Sequence, residues 1–163
     1  MPTMNEKAAS VASMLHGRGL GCAESCTAGR VSQAFAGVPG ASDWLRGGLV
    51  AYQLEVKRRH LGVLAPSMFS EQCAAEMALG AASFFDAAVA VSTTGVVGDE
   101  PEDGVAPGTV FIATFVSGDL VTRTHRFGEI GDAASERAAE QALDDLLAHL
   151  RGASRSAGEQ LVT

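Results

Sequence analysis

Leu20-Gly21-Cys22-Ala23-Glu24-Ser25-Cys26-Thr27-Ala28-Gly29 passes within ten residues from an apolar run to small polar side chains. Leu20 to Ala23 reads as a short buried strand, and Thr27 to Ala36 as a helix with Val31, Ala34 and Phe35 on one face. Gly37-Val38-Pro39-Gly40 stops that helix. A strand turning directly into a helix is a building unit of α/β folds, and the pattern recurs outward from it. Upstream, Asn5 to His16 has helical spacing and ends at Gly17 and Gly19. Downstream come a strand from Leu45 to Tyr52, a short helix from Glu55 to Leu61 and a longer helix from Ser70 to Phe85. Ala87 to Ser92 is an apolar strand, followed by a Gly-, Asp- and Pro-rich loop from Thr94 to Pro107. Thr109–Phe115 and Leu120–Phe127 flank Ser117-Gly118-Asp119 as a hairpin, and a last helix spans Ala133 to Leu150. The order predicts a three-layer α/β/α sandwich with a mixed, mostly parallel sheet, in one domain over 1–151. The small, polar tail, 152–163, is expected to fray.

Composition narrows the function classes. The chain has 163 residues, 47% hydrophobic and 19% charged, which suits one core and excludes a disordered chain. Twelve Lys+Arg against nineteen Asp+Glu give a formal net charge of −7, the wrong sign for a duplex nucleic-acid binder. Gly, Ser, Asp or Arg interrupts every apolar run before it reaches the roughly 18 residues of a membrane span. The N-terminal stretch Met1 to Gly19 lacks the apolar segment of a secretory signal, so a cytoplasmic location is expected. Cys22, Cys26 and Cys73 do not form a Cys-x-x-Cys pair, and His16, His60, His125 and His149 are scattered. Neither a metal site nor a cofactor is expected from those spacings.

Two polar loops leave the C-terminal ends of predicted strands, where open α/β sheets hold their ligands. The first, Ala23 to Gly29, places Ser25 at a strand-to-helix junction. There it serves as a nucleophile beside amides able to hold negative charge, or simply caps the helix. The second, Thr94-Gly95-Val96-Val97-Gly98-Asp99 onward, has glycines that admit close approach and an acidic run that reads most simply as solvated. A serine needs a base, and no histidine lies in either loop. Ten of the twelve basic residues are arginine, so Lys57, five residues after the only tyrosine, Tyr52, stands out. Lysine can lose its proton where arginine cannot, which suits a neutral amine base. Burial and the neighbouring Arg58 and Arg59 would both lower its pKa; the alternative is a solvated helix lysine.

The stretch Ala23-Glu24-Ser25-Cys26-Thr27-Ala28-Gly29 resembles the A-E-S-C-T-G-G motif of the CinA C-terminal domain family, bacterial nicotinamide-nucleotide amidases. The resemblance continues in order through Val38 to Ser42, Gly47 to Tyr52, Glu55-Val56-Lys57, Thr94 to Gly98 and Val105 to Val110. It implies hydrolysis of the carboxamide of nicotinamide mononucleotide, with Ser25 as nucleophile and Lys57 and Tyr52 as its activating partners. Substrate contacts are expected from Glu24, Cys26, Thr27, Gly29, Gly48, Thr94, Gly95 and Gly98, those after Ser25 on the geometry of a helix terminus, and the resemblance implies a small-molecule nucleotide as partner and a homo-oligomer.

Five positions depart from the family pattern. Ala28 adds a methyl group where the family has glycine, and Leu54 replaces an asparagine between Tyr52 and Lys57. Val97 and Asp99 replace alanine and proline, and Gly131 stands where an arginine ends the F-x-G-x-R stretch. Two readings follow: an active amidase, or a paralogue that binds a nucleotide or partner protein without turnover.

Overall fold

The computed structural model describes residues 1–161. Five strands form one sheet in the order β2-β1-β3-β4-β5, with β1 Leu20–Glu24, β2 Leu45–Val50, β3 Val89–Gly95, β4 Thr109–Val116 and β5 Asp119–Arg126. β1 pairs in parallel with both β2 and β3, while β3–β4 and β4–β5 are antiparallel. Only β4 therefore runs against the rest. Helices α1 Met4–Ser13, α2 Arg30–Ala36 and α5 Asp132–Leu161 cover one face; α3 Leu54–Leu61 and α4 Glu71–Phe84 cover the other. The expected three layers and mixed sheet are what forms.

The topology places a crevice. From the inner strand β1 the chain crosses through α2 to β2 on one side, then returns through α3 and α4 to β3 on the other. Successive crossovers use opposite faces, so the loops after β1, β2 and β3 part company at their C-terminal ends, where ligands of such sheets bind. Register makes this concrete: Glu24 lies opposite Val50 on one side and Thr93 on the other. Residues 25, 51 and 94 are consequently neighbours.

Local chemistry sets the element ends. Thr3 and Glu6 form a capping box at α1, and Ser70 accepts from the Cys73 amide at α4. β3 reads Val-Ala-Val-Ser-Thr-Thr-Gly and runs three residues further than the apolar pattern predicts. Its polar residues are fully buried yet bonded: Ser92 Oγ donates to the Ala74 carbonyl, Thr94 Oγ1 to the Met68 carbonyl, and Thr93 Oγ1 meets Thr27 Oγ1. Paired hydroxyls are tolerated in a core, so hydropathy undercounts this strand.

Two other ends differ from expectation. α2 starts at Arg30, not Thr27, because Ser25 to Gly29 form a turn with Ala28 and Gly29 successively left-handed (φ +48° and +99°). Past Leu150, where the last helix is expected to end and a polar tail to follow from Gly152, α5 continues to Leu161. Gly152 and Gly158, at about 1 kcal/mol each relative to alanine, do not end the established helix. Residues 162 and 163 of that expectation lie outside the described residues.

Candidate active site

Ser25 is the first residue past β1, held by its amide donating to the Thr93 carbonyl at 2.9 Å. It is 6% exposed, and its Oγ lies 2.9 Å from Lys57 Nζ. Lys57 comes from α3, is 0% exposed, and also donates to the Tyr52 carbonyl at 2.7 Å; Met68 Sδ stands 3.7 Å away. No carboxylate compensates this amine among the described residues. Burial accordingly pushes its pKa below the ordinary 10.5, with the facing Cys73 and Cys26 pulling weakly the other way. The neighbouring arginines do not cause the shift: Arg59 pairs with Glu55 at 2.7 Å, and Arg58 reaches the Ala65 carbonyl at 3.5 Å. A neutral amine there has a lone pair for the Ser25 proton, while the Tyr52 carbonyl fixes one N–H.

The structure thus brings Ser25 and Lys57 together, but it brings in Tyr52 through its backbone. The Tyr52 side chain is 58% exposed at the rim, and its hydroxyl bonds to no protein group among the described residues. Cys26 and Thr27, next to Ser25, have buried side chains. The Cys26 thiol is pushed up to about 12, chiefly by burial, so it is no competing nucleophile at neutral pH. In the turn, Ala28 N–H donates to the Ser25 carbonyl and Arg30 N–H to the Thr27 carbonyl. Among the described residues no backbone acceptor takes the amides of Cys26 and Thr27, which lie beside Ser25 Oγ.

Glu24 plays a part that sequence spacing does not announce. It is 1% exposed, and both oxygens are engaged: Oε1 accepts from Thr27 Oγ1 and the amides of Gly29 and Val31, Oε2 from the amide and hydroxyl of Ser32. The free N–H groups that open a helix are an anion site. Here the protein fills that site with its own carboxylate, so α2 offers no open amide cradle to an oxyanion or phosphate. The signal was present only as Glu24 with Thr27 three residues on and Ser32 eight on.

The remaining expected contacts divide between rim and scaffold. Gly98 is exposed, with open space where a Cβ would sit. Gly48 is a packing position: a Cβ there would overlap the Ser32 side chain of α2. Gly95 has no room either, its Cβ position being 2.6 Å from the Thr109 carbonyl oxygen. Thr94 is bound to the Met68 carbonyl at 2.7 Å. Clefts of about 510 Å³ at the α1–α2–α5 seam and about 540 Å³ at the α3–α4 crossing do not include Ser25, Tyr52 or Lys57. Chemistry, not cleft size, marks the site. Of the departures, Leu54 packs against the α3–α4 core, Val97 against the other core, and Gly131 is left-handed at φ +66°, a conformation an arginine would resist. Arg30, the guanidinium nearest the turn, is held by the Thr27 carbonyl, Ser135 Oγ and Asp132.

A buried serine–lysine pair at the switch point of a mixed α/β sheet defines the class, and comparison with known proteins assigns the family. The model of the CinA C-terminal domain matches residues 4–150, and the chain belongs to that family. A CinA-like protein of Thermotoga neapolitana is 37% identical over 143 residues, 84% of this chain and 35% of its own length. One of Gemmatimonas aurantiaca is 37% identical over 156 residues, 88% of this chain and 34% of its own. The chain therefore spans about a third of the length of these relatives. Among solved structures, a competence or damage-inducible protein of Enterobacter asburiae superposes with TM-score 0.87 at 34% identity, covering 92% of this chain and 99% of its own. A CinA superfamily protein of Enterobacter cloacae gives 0.88 at 33% identity, covering 92% and 94%.

Proposed function

We propose that this chain is a serine amidohydrolase whose base is Lys57 and whose substrate is a pyridine carboxamide, nicotinamide mononucleotide being the one the family resemblance implies. The observation that carries this reading is the 2.9 Å contact between Ser25 Oγ and an amine that is fully buried without a counter-charge. Neutral Lys57 takes the Ser25 proton as Oγ attacks the carboxamide carbon. The amides of Cys26 and Thr27 face the charge that develops on the carbonyl oxygen, a task needing preset donors. Lys57 returns the proton to the leaving nitrogen, ammonia departs, and a water deprotonated by Lys57 hydrolyses the acyl-serine to the carboxylic acid.

The test is ammonia release from nicotinamide mononucleotide by the purified chain and by Ser25→Ala. Turnover is expected in the first only, with nucleotide binding retained in both. Because the base works unprotonated, kcat/KM should climb with pH through the lowered amine pKa and then level. Equal release from both proteins would discard the nucleophile. Nucleotide binding without release from either would favour the second reading, a ligand-binding paralogue, to which the committed Arg30 and the glycine at 131 lend support.

A further inference from the structure

The Lys57 amine has three hydrogen-bond partners among the described residues, and the third is a weak one. Two are oxygens at 2.7 and 2.9 Å; the other is the thioether of Met68 at 3.7 Å, a weak acceptor that does little to compensate a charge. Met68 is half-buried and packs against both apolar clusters on the α4 face of the sheet. Its segment is pinned from two sides. Thr94 Oγ1, at the end of β3, donates to the Met68 carbonyl at 2.7 Å. Ser67 Oγ donates to Asp103 at 2.8 Å, tying the segment to the acidic loop after β3. No helix or strand holds residues 62–70, so these bonds decide where the Met68 side chain lies.

We propose that Met68 is a positioning residue of this site: its thioether closes the Lys57 amine off from water and holds it against Ser25. The inference rests on the serine–lysine reading of the site. The titratable groups facing the amine are the Cys73 thiol from α4 and the Cys26 thiol from the turn after β1. Burial pushes these up to about 11 and about 12, so both are uncharged at neutral pH. Arg58 and Arg59, on α3 itself, are directed elsewhere. Water exclusion is then the control on the amine, and Met68 is the part of it contributed from outside the helices and strands.

The chain has two lysines, Lys7 and Lys57, so isotope-labelled lysine gives two side-chain signals by NMR. Lys7, paired with Asp144 at 2.9 Å, reports whether each variant is folded. Met68→Ala should raise the Lys57 titration midpoint toward the ordinary 10.5, as water reaches the amine. Met68→Gln, similar in length but polar, should act in the same direction and decides the matter if the alanine variant does not fold. Met68→Leu should leave the midpoint within a few tenths of a unit, because it keeps the apolar volume. An unmoved midpoint in the alanine and glutamine variants overturns the proposal, and so does a leucine variant that shifts as far as they do. No substrate enters this measurement, so its failure is separable from failure of the ammonia assay.

Discussion

The chain's two lysines occupy opposite environments. Lys7, on α1, is 2.9 Å from Asp144 on α5, and both side chains keep some contact with solvent. Lys57 has no contact with solvent and, among the described residues, no carboxylate partner. The polar groups between the β4–β5 hairpin and α5 follow the Lys7 pattern. His125 contacts Asp145 at 2.7 Å, and His149 bridges Thr114 and Asp119 at 2.8 and 2.9 Å. One half of the molecule thus compensates its buried polar groups, as a stable interior requires. The ends of β1, β2 and β3 retain one amine that is not compensated, and uncompensated ionisable groups collect where proton transfer is the task.

Removing the exception should have the largest effect. Lys57→Met is expected to lower kcat by about 10²- to 10⁴-fold, the usual contribution of a positioned base. The same variant should be the more stable protein near neutral pH. Folded Lys57 releases its proton below the 10.5 of the unfolded chain. Between those two values the unfolded chain binds more protons, so the stability of the parent rises with pH. Denaturant unfolding across pH should therefore show the variant's advantage shrinking as 10.5 is approached. The three thiols are common to both proteins and cancel in the difference. An advantage that grows with pH would contradict the assignment.

A buried carboxylate on the compensated pattern, but inside the site, gives the next effect. Glu24→Gln exchanges an oxygen for an NH₂ group that must face amide or hydroxyl donors of α2. A loss of about 1–3 kcal/mol is expected in urea unfolding, the cost of leaving buried donors unmet. A neutral result would show that α2 does not depend on this cap. Smallest is Lys7→Met, at about 1 kcal/mol or less because the pair is partly solvated, with ammonia release unchanged. A loss several times larger would make the α1–α5 seam a buried ion pair in effect, and the contrast with Lys57 would weaken.

Periodicity and turn residues made the layers legible, since each helix face and apolar strand announces itself locally. Ser25 was legible from its place at a strand-to-helix junction, and Lys57 from being a lysine in a chain that prefers arginine. What stayed hidden depends on chain reversals. Glu24 reaches the amides of Gly29, Val31 and Ser32 only because Ala28 and Gly29 turn left-handed, which composition does not dictate. Tyr52 was legible as a residue, but a sequence does not say whether hydroxyl or carbonyl does the work. Met68 had no signal, because eleven residues of irregular spacing separate it from the amine it covers.

Glu24 also bears on how such a site could be moved or inherited. Ser25 is the proposed reacting group, and the residue before it supplies the floor under the following helix. A designer who grafted the serine, the lysine and the turn onto another α/β scaffold, but placed a neutral residue before the serine, would leave α2's first amides facing apolar strands. The transplant would then fail at the foundations, with every reacting group in place. The smallest portable unit is the run from Glu24 to Ser32, in which reactivity and support are written into adjacent letters.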